Sequence, residues 1–456
     1  MKATKASNER RGNIMAKSYD LIIRNVRQSD SKECFDLAVM GGTIAAMGAL
    51  EEAVSKKTFD AGGRLMLPPF AEPHVHLDTA LTAGSPVWNE SGTLAEGIGI
   101  WSARKAALTK KDVLERSERT LGLYMGYGVQ HLRTMVDIGD PNLTALEAVL
   151  EIKEKYRPYI DIQVTAFPQD GIVACPENEE RLKVALRLGA DGISAVPHLE
   201  RTREEGVLSL QKAFELADSH GAYMHVFCDE TDDEASRYLE VCASLALSMG
   251  LGRRVTAAHA NAAAYYNEPY FQKVLGLVAA SGLSIIACPL INSVTQGRYD
   301  AYPKGRGITR IKEFMEAGIN VALAHDDIRT PFYPLGTGNP LDAAHMAAHL
   351  AHMSGRADQL RLIRMITEGG VMAMNADESY GYMNGELREG APASFLLFDA
   401  DDVGDLIRER PAPRYVFRGG RLIAETQPAV TTLQIAASQL AYGNAGKEWT
   451  NVLPVR

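Results

Sequence analysis

The stretch AYMHVFCDETDDE, residues 222–234, joins a short apolar run to a group of acidic residues. Runs of this kind alternate with helical segments along the middle of the chain, which is typical of β-strand and α-helix units around a parallel sheet. Eight such units favour a TIM-type (β/α)8 barrel over an open doubly wound sheet. The predicted strands are Leu65–Phe70 continuing toward His76, Gln130–Val136, Tyr159–Phe167, Gly192–Val196, Ala222–Cys228, Arg254–Ala258, Leu283–Cys288 and Asn320–Ala324.

Both ends of the chain carry strand-like runs that are interrupted by paired glycines, as in FDLAVMGGTIAAMG and RYVFRGGRLIAE. Paired glycines supply the positive φ of a tight hairpin, so turns are predicted at Gly41–Gly42 and Gly419–Gly420. We therefore expect an α/β fold in which a distorted TIM barrel carries a small β-sandwich domain built from both termini. The predicted division is a disordered extension over 1–18, the N-terminal segment of the β-sandwich over 19–66, the barrel over 67–385, and the C-terminal segment of the β-sandwich with a tail over 386–456.

The composition excludes several classes of partner. The 456 residues carry a net charge of −9, and basic residues are scattered thinly near the start rather than clustered, which argues against a nucleic acid or an anionic membrane surface. No apolar run approaches the length of a membrane span, and the start lacks the apolar core of a signal peptide. The five cysteines form no Cys-x-x-Cys pair and are interpreted mostly as small buried hydrophobes. These features predict a cytoplasmic protein.

Polar residues follow the first and last predicted strands, where a barrel places its chemistry. His74 and His76 in EPHVHLD are two apart, so both imidazoles lie on the same side of an extended chain and can share one metal. The alternative is a pair of surface histidines in a loop. His325, Asp326 and Asp327 follow strand eight in ALAHDDI. One aspartate is predicted as a metal ligand or base and the other as a substrate contact, with an acidic helix cap as the alternative.

Three further side chains follow inner strands. His259 in VTAAHAN is a candidate general acid/base or water-orienting group, although a lone histidine there is often structural. Gln169 in VTAFPQDG offers an amide that can read a polar ring. Glu230 lies just past strand five, where it can shuttle a proton, while the acids at 232–234 are predicted to cap and solvate the next helix. Five of the other histidines, at 131, 198, 345, 349 and 352, are interpreted as core, loop or helix-face residues.

The motifs HVH, CDE, AH and HDD after strands one, five, six and eight resemble those of the amidohydrolase superfamily. Longer blocks are similar to the bacterial cytosine deaminases over roughly Tyr19 to Gln427. These blocks are LPPFAEPHVHLDTALTAG, WNESGTL, AFPQDGI, TQGRYDAYPKGRGITR, NVALAHDD and YPLGTGN.

The resemblance implies one divalent metal ion, zinc or iron with manganese as a further candidate. Its implied ligands are His74, His76, a strand-five histidine and Asp326. Asp326 would also take a proton from the metal's water, His259 would orient that water, and Glu230 would pass a proton to the ring of the substrate. A homo-oligomer is implied as well.

The resemblance assigns substrate contacts to Gln169 and Asp327, and to Phe332 where the family carries tryptophan. Met135 and Val294 stand where cytosine deaminases carry histidine. Together with Phe227 and Phe332, these replacements predict a drier, reshaped pocket, and therefore a small heterocyclic substrate other than cytosine or a loss of activity.

The strand-five ligand of the family falls on Phe227, which cannot bind a metal. His225 shares the inward face of that strand two residues earlier, and it reaches the metal if the strand shifts or bulges. The alternatives are a three-ligand site completed by water or by His259, and a site that holds metal poorly.

Two functions follow. The first is a metal-dependent hydrolytic deaminase of a cyclic amidine or amino-heterocycle, such as cytosine or a related pyrimidine or triazine, including removal of an alkylamine from a triazine ring. The second is a metal-poor, catalytically silent homologue that binds a ligand or has a structural role. Phe227 motivates the second, and the joint retention of Glu230, His259, Asp326 and Asp327 favours the first.

Overall fold

The computed structural model describes residues 18–28, 33–302, 304–376 and 387–427, with the backbone alone at 382–383, 386, 431–432 and 452–453. The predicted extension, apart from residue 18, and most of the predicted C-terminal tail lie outside these residues. None of the helices within them is both long enough and apolar enough to cross a bilayer.

Five N-terminal strands form most of one sheet. They are Leu21–Gln28 (β1), Cys34–Met40 (β2), Thr43–Gly48 (β3), Thr58–Asp60 (β4) and Leu65–Leu67 (β5). Strands β1, β2 and β3 are antiparallel, whereas β4 and β5 run parallel to β1. The predicted hairpin turn is confirmed, because Met40 pairs with Thr43 and the two glycines between them have φ of 59° and 80°.

The next eight strands form a nearly closed parallel barrel in chain order, which confirms the predicted TIM architecture. The first and last strands meet through a parallel bridge between Val75 and Asp326. The strands are Phe70–Val75 (β6), Val129–Asp137 (β7), Asp161–Phe167 (β8), Gly192–Ala195 (β9), Tyr223–Cys228 (β10), Val255–His259 (β11), Ser284–Ala287 (β12) and Val321–Leu323 (β13).

The first predicted strand is wrong as a single element. Leu65–Leu67 pairs with β1 in the terminal sheet, and only Phe70–Val75 enters the barrel. Pro68 and Pro69 separate the two segments, and neither proline has an N–H to donate to a ladder. The chain therefore passes from one sheet to the other at this proline pair.

Helices surround the barrel and bury their apolar faces against it. They are Leu94–Lys105 (α1), Lys110–Gly126 (α2), Thr144–Tyr156 (α3), Glu177–Leu188 (α4), Arg203–Ser219 (α5), Tyr238–Ser248 (α6), Glu268–Ser281 (α7), Pro289–Thr295 (α8), Ile311–Glu316 (α9), Pro340–Leu350 (α10), Arg356–Met365 (α11) and Glu368–Ala373 (α12). Short 3-10 turns occupy Pro197–Leu199, Gly252–Arg254 and Asn261–Tyr265.

The C-terminal strands complete the terminal sheet. The chain continues through Tyr382–Met383 (β14), Glu386–Leu387 (β15), Phe395–Phe398 (β16), Val403–Glu409 (α13), Tyr415–Arg418 (β17), Arg421–Glu425 (β18), Thr431–Thr432 (β19) and Val452–Leu453 (β20). Strand β16 pairs with β5, and the β17–β18 hairpin turns at the predicted glycine pair. The two glycine hairpins adjoin, since Ala393 donates its N–H to Gly42 O and accepts from Gly420 N–H, both at 2.8 Å. Strands from both ends of the chain thus build one sheet, which confirms that both termini contribute to the small β-structured part of the fold.

Candidate active site

Strained backbone marks the carboxyl end of the barrel. Asp229 directly follows β10, His259 ends β11, and Asp326 lies three residues beyond β13; their φ angles are 53°, 69° and 69°. A left-handed conformation costs a non-glycine residue about 1–2 kcal/mol, and such strain persists only where the surrounding structure fixes it. The left-handed conformation turns the chain sharply beyond each of these strands. These turns bring the polar side chains together over the barrel mouth.

The two histidines of the HVH motif face the aspartate that follows the last strand. His74 Nε2 lies 3.5 Å and His76 Nε2 lies 3.8 Å from Asp326 Oδ1. Burial lowers the pKa of His74 well below its ordinary value and that of His76 to about 3. Both imidazoles are therefore neutral near pH 7, which is the form that binds a metal.

His225 lies below this group rather than within it. Its Nε2 is 2.7 Å from His74 Nδ1, and its Nδ1 is 2.8 Å from Thr256 Oγ1. Both ring nitrogens are thus engaged inside the barrel, and all three side chains are buried. The strand has not bulged to bring His225 level with His74 and His76, and β10 keeps a regular register with β11 over its whole length.

Four donor atoms converge at the barrel mouth. Single ligand atoms from His74, His259, Cys288 and Asp326 all lie within 4.8 Å of one another, and all four side chains are buried. Among the described residues, His74 Nε2 and His259 Nε2 are buried without a hydrogen-bond partner. Leaving buried polar atoms unpaired is costly, so the donor set fits a bound cation. Sequence reasoning missed Cys288, although it directly follows strand seven.

Glu230 faces His259 across the same space. Its Oε2 lies 3.6 Å from His259 Nε2, and Asn292 links the two by donating an N–H to Glu230 Oε1 at 3.4 Å while contacting His259 Nδ1. Burial, reinforced by the negative charge of Asp327, raises the pKa of Glu230 to about 8. The carboxyl group therefore carries a proton near neutral pH. Asn292 was not singled out from the sequence, because no local pattern indicates that helix α8 packs over the site.

An apolar cluster occupies the side of the site that faces strand five. Met135, Phe167, Val196 and Phe227 pack together, and the Phe167 and Phe227 rings stack with centroids 4.3 Å apart. The Phe227 ring also lies 4.8 Å from the His74 ring. Met135 and Phe227 stand where the cytosine deaminases that the sequence resembles carry histidine, and both lie in this apolar cluster.

A narrow pocket opens above these groups. Its lining includes three residues predicted to contact substrate, namely Gln169, Asp327 and Phe332, together with Glu230, His259 and Asp326. Asp327 Oδ1 is buried without a hydrogen-bond partner among the described residues, and burial raises the pKa of Asp327 to about 7. His198 also lines the pocket, whereas the sequence suggested only a core or loop role.

The acidic tail of residues 229–234 does not act as predicted. The carboxylate that accepts from the start of helix α6 belongs to Asp229, which bonds the N–H groups of Tyr238 and Leu239 at 3.0 and 2.7 Å. Asp232 instead accepts from Arg298 N–H at 3.2 Å. The predicted cap at 232–234 is therefore wrong, because the helix begins later and the chain folds back onto the strand end.

Known proteins resemble this chain in sequence and in fold. Residues 57–424 match the sequence profile of the amidohydrolase family. The chain belongs to this family. The amidohydrolase assignment confirms the sequence-based prediction of a hydrolase that acts on C–N bonds in cyclic amidines, and metal-dependent hydrolytic deamination of heterocycles is the corresponding chemistry.

Three relatives illustrate the range of similar amidohydrolases. The 5-methylcytosine deaminase of Klebsiella pneumoniae, solved with 5-fluorocytosine, is 40% identical with a TM-score of 0.85, over 92% of this chain and 100% of that one. N-isopropylammelide isopropyl amidohydrolase of Pseudomonas sp. (strain ADP) is 25% identical over 91% of this chain and 100% of its own length. Atrazine chlorohydrolase of Arthrobacter aurescens, complexed with zinc, shares the fold at 17% identity and a TM-score of 0.62, over 89% of this chain and 95% of that one.

Proposed function

We propose that this amidohydrolase removes the exocyclic amino group of a cytosine that carries a small substituent at position 5, releasing ammonia. One observation carries the proposal: a single pocket joins a polar side, formed by Gln169 and Asp327, to the apolar Phe167–Phe227 stack. A 5-substituted cytosine has the matching division into a polar edge and an apolar group. The 40% identical relative is a 5-methylcytosine deaminase.

The donors at the barrel mouth fit a divalent metal. His74 and Asp326 belong to the group of converging donors, and His74 Nε2 and His76 Nε2 lie 3.5 and 3.8 Å from the same carboxylate oxygen. When bound, such a metal lowers the pKa of a water molecule to about 7 and so supplies a nucleophile at neutral pH. Zinc suits a donor set of imidazole, carboxylate and thiol groups.

Proton transfer falls to Glu230 and Asp326, which approach the pocket from different strands. Glu230 carries a proton near neutral pH and lines the pocket, so it can donate to the ring nitrogen beside the attacked carbon. Burial raises the pKa of Asp326 well above its ordinary value, so Asp326 would accept the proton of the attacking water once the bound cation ionises it. Asn292 holds Glu230 in place, and His259 Nε2 faces the same reacting space.

Recognition of the ring falls to the polar side of the pocket. The Gln169 amide offers donors and an acceptor to the amide-like edge of a pyrimidine, and the buried Asp327 Oδ1 is free to accept from a ring or amino N–H. Leaving these groups unpaired would cost about 1–3 kcal/mol each, which disfavours rings without the matching edge.

A substrate panel tests the proposal. Zinc-, iron- and manganese-loaded protein is offered cytosine, 5-methylcytosine, 5-fluorocytosine and N-isopropylammelide, and release of ammonia or isopropylamine is measured. We expect 5-methylcytosine to exceed cytosine in kcat/KM by roughly 10-fold or more, since one methyl group in an apolar pocket contributes about 1–3 kcal/mol. Asp326→Asn is the inactive control. Metal-loaded protein that is inert on the whole panel would overturn the proposal and favour a silent binding protein.

The compartment and the assembly are likewise proposals. We infer that the protein is cytoplasmic, as the sequence analysis predicts, and that it is a homo-oligomer, as the family resemblance implies. Light scattering on the purified full chain measures the subunit number, and a monomer would overturn the proposed assembly.

A further inference from the structure

We infer that Cys288 is a metal ligand of this chain and supplies the donor that Phe227 cannot provide on strand five. The inference rests on the metal dependence in the proposed function. In this assignment Cys288 takes the ligand role that the sequence analysis gave to His225. Cys288 follows strand seven, which lies two strands further round the barrel from the strand that carries Phe227.

The strand-five side of the site cannot hold a ligand as the chain is folded. Phe227 fills it with a ring stacked on Phe167, and the ring packs against Met135 and Val196. Breaking this cluster to admit a polar group would expose four buried side chains. His225 is no substitute, because its two nitrogens already contact His74 and Thr256.

Cys288 is placed where a donor is needed. It lies between the end of β12 and the start of α8, it is fully buried, and its Sγ belongs to the group of donor atoms within 4.8 Å of one another. Of the other three members, His74 lies on β6, His259 ends β11, and Asp326 follows β13. A thiolate, two imidazoles and a carboxylate are donor types that zinc binds, and a zinc held by them would expand to five ligands to take the attacking water.

Two orphaned nitrogens point independently to an ion at this place. His74 Nε2 and His259 Nε2 are buried and lack a hydrogen-bond partner among the described residues, although each belongs to a side chain at most 1% exposed. Their other nitrogens are engaged, His74 Nδ1 with His225 and His259 Nδ1 with Asn292. Imidazoles that ligate a metal are held in this way, with the second nitrogen fixed by an outer partner.

The chemistry of the donors distinguishes this set from an all-histidine and carboxylate site. A soft thiolate ligand favours zinc over manganese or magnesium, and the Cys288 thiol would release its proton when the metal binds. His259 becomes a ligand in this arrangement, and Glu230, 3.6 Å from it, stays at the edge of the metal centre.

Spectroscopy of the full chain tests the assignment. Zinc-loaded wild type is measured by X-ray absorption, and cobalt-loaded wild type by near-ultraviolet absorption. We expect one sulfur scatterer per zinc and a thiolate-to-cobalt charge-transfer band. In Cys288→Ala the sulfur scatterer and the band are lost and zinc affinity falls at least roughly 100-fold, the upper range for loss of an outer partner. Cys242→Ala, which removes an equally buried thiol from helix α6, keeps all three properties.

The outcomes separate this inference from the proposed function. A wild type that binds zinc and deaminates 5-methylcytosine without a sulfur scatterer overturns the ligand assignment alone. A wild type that binds no metal overturns both. The wild-type spectra require no variant, so poor folding of Cys288→Ala would not rescue the assignment.

Discussion

His225 Nε2 lies 2.7 Å from His74 Nδ1, and this contact fixes which nitrogen of His74 faces the barrel mouth. Thr256 Oγ1 accepts from Arg133 Nη1 at 3.2 Å and contacts His225 Nδ1 at 2.8 Å. The single hydroxyl proton of Thr256 is directed to Met224 O at 3.5 Å, so Thr256 Oγ1 accepts from His225 Nδ1–H, and His225 Nε2 accepts from His74 Nδ1–H. His74 Nε2 is then left with its own lone pair toward the site. His225 is therefore a positioning residue.

Replacing His225 with alanine should weaken metal binding without changing the number of metal ligands. Loss of an outer hydrogen-bond partner typically costs roughly 10–100-fold in metal affinity. Competition with a chelator measures the affinity, and X-ray absorption counts the nitrogen scatterers. His220→Ala, at the exposed end of helix α5, is the control and should leave both unchanged. Loss of one nitrogen scatterer in His225→Ala would instead make His225 a ligand.

Glu230→Gln should lower kcat and leave the metal content unchanged. The amide keeps the shape of the side chain and its contact with Asn292 but cannot transfer the proton, and such groups typically contribute about 10²–10⁴-fold in rate. Steady-state kinetics on 5-methylcytosine measure the effect. The matched control is Glu240→Gln on helix α6, whose carboxylate accepts from Tyr270 at 2.7 Å far from the pocket. A rise in KM alone would show that Glu230 binds the substrate rather than moving a proton.

Phe227→His should strengthen metal binding while weakening the metal-free fold. The imidazole restores a donor on strand five, but it also puts a polar ring into the cluster with Met135, Phe167 and Val196. A buried polar group without a partner costs roughly 1–3 kcal/mol on mutational scales. Chelator competition and thermal unfolding, with and without zinc, measure the two effects. Phe227→Leu keeps the site apolar and should leave affinity unchanged; a Leu variant with altered affinity would mean that packing alone explains the His variant.

Gly420→Ala should destabilise the terminal sheet more than Gly419→Ala. Both glycines have positive φ, of 74° and 53°, and alanine there costs about 1–2 kcal/mol. A Cβ on Gly420 would also lie 2.8 Å from Val39 Cγ1, whereas a Cβ on Gly419 meets no atom within 4 Å among the described residues. Overpacking adds roughly 1–3 kcal/mol. Urea unfolding compares the two variants, and equal midpoints would contradict the close approach of the two hairpins.

The sequence predicted the barrel well because each strand is a short apolar run, and polar residues at the strand ends follow directly in the chain. Glu230, His259, Asp326 and Asp327 were found in this way, and the structure gathers them around one pocket. Cys288 follows its strand in the same manner, but a single buried cysteine gives no chemical signal of its own. His198 and Asn292 depend on how a turn and a short helix fold over the mouth, which local patterns do not determine.

The position of His225 could not be settled from spacing either. Two residues on one face of a strand differ by one layer of the barrel, and only the neighbouring strands decide which layer meets the site. Thr256 on β11 and His74 on β6 hold His225 in the lower layer. The prediction of one strand across Leu67 and Phe70 was wrong for a related reason, since one apolar stretch supplies strands to two different sheets.

The Val75–Asp326 bridge is the seam at which the cylinder of strands closes. His74 lies on the first strand of the barrel and Asp326 follows the last strand, so an ion bound by both side chains would link the two strands. The metal centre would then contribute to the closure of the barrel. Metal binding would support both catalysis and closure of the barrel. In the metal-free chain, the strands would separate first at this bridge, next to the active site.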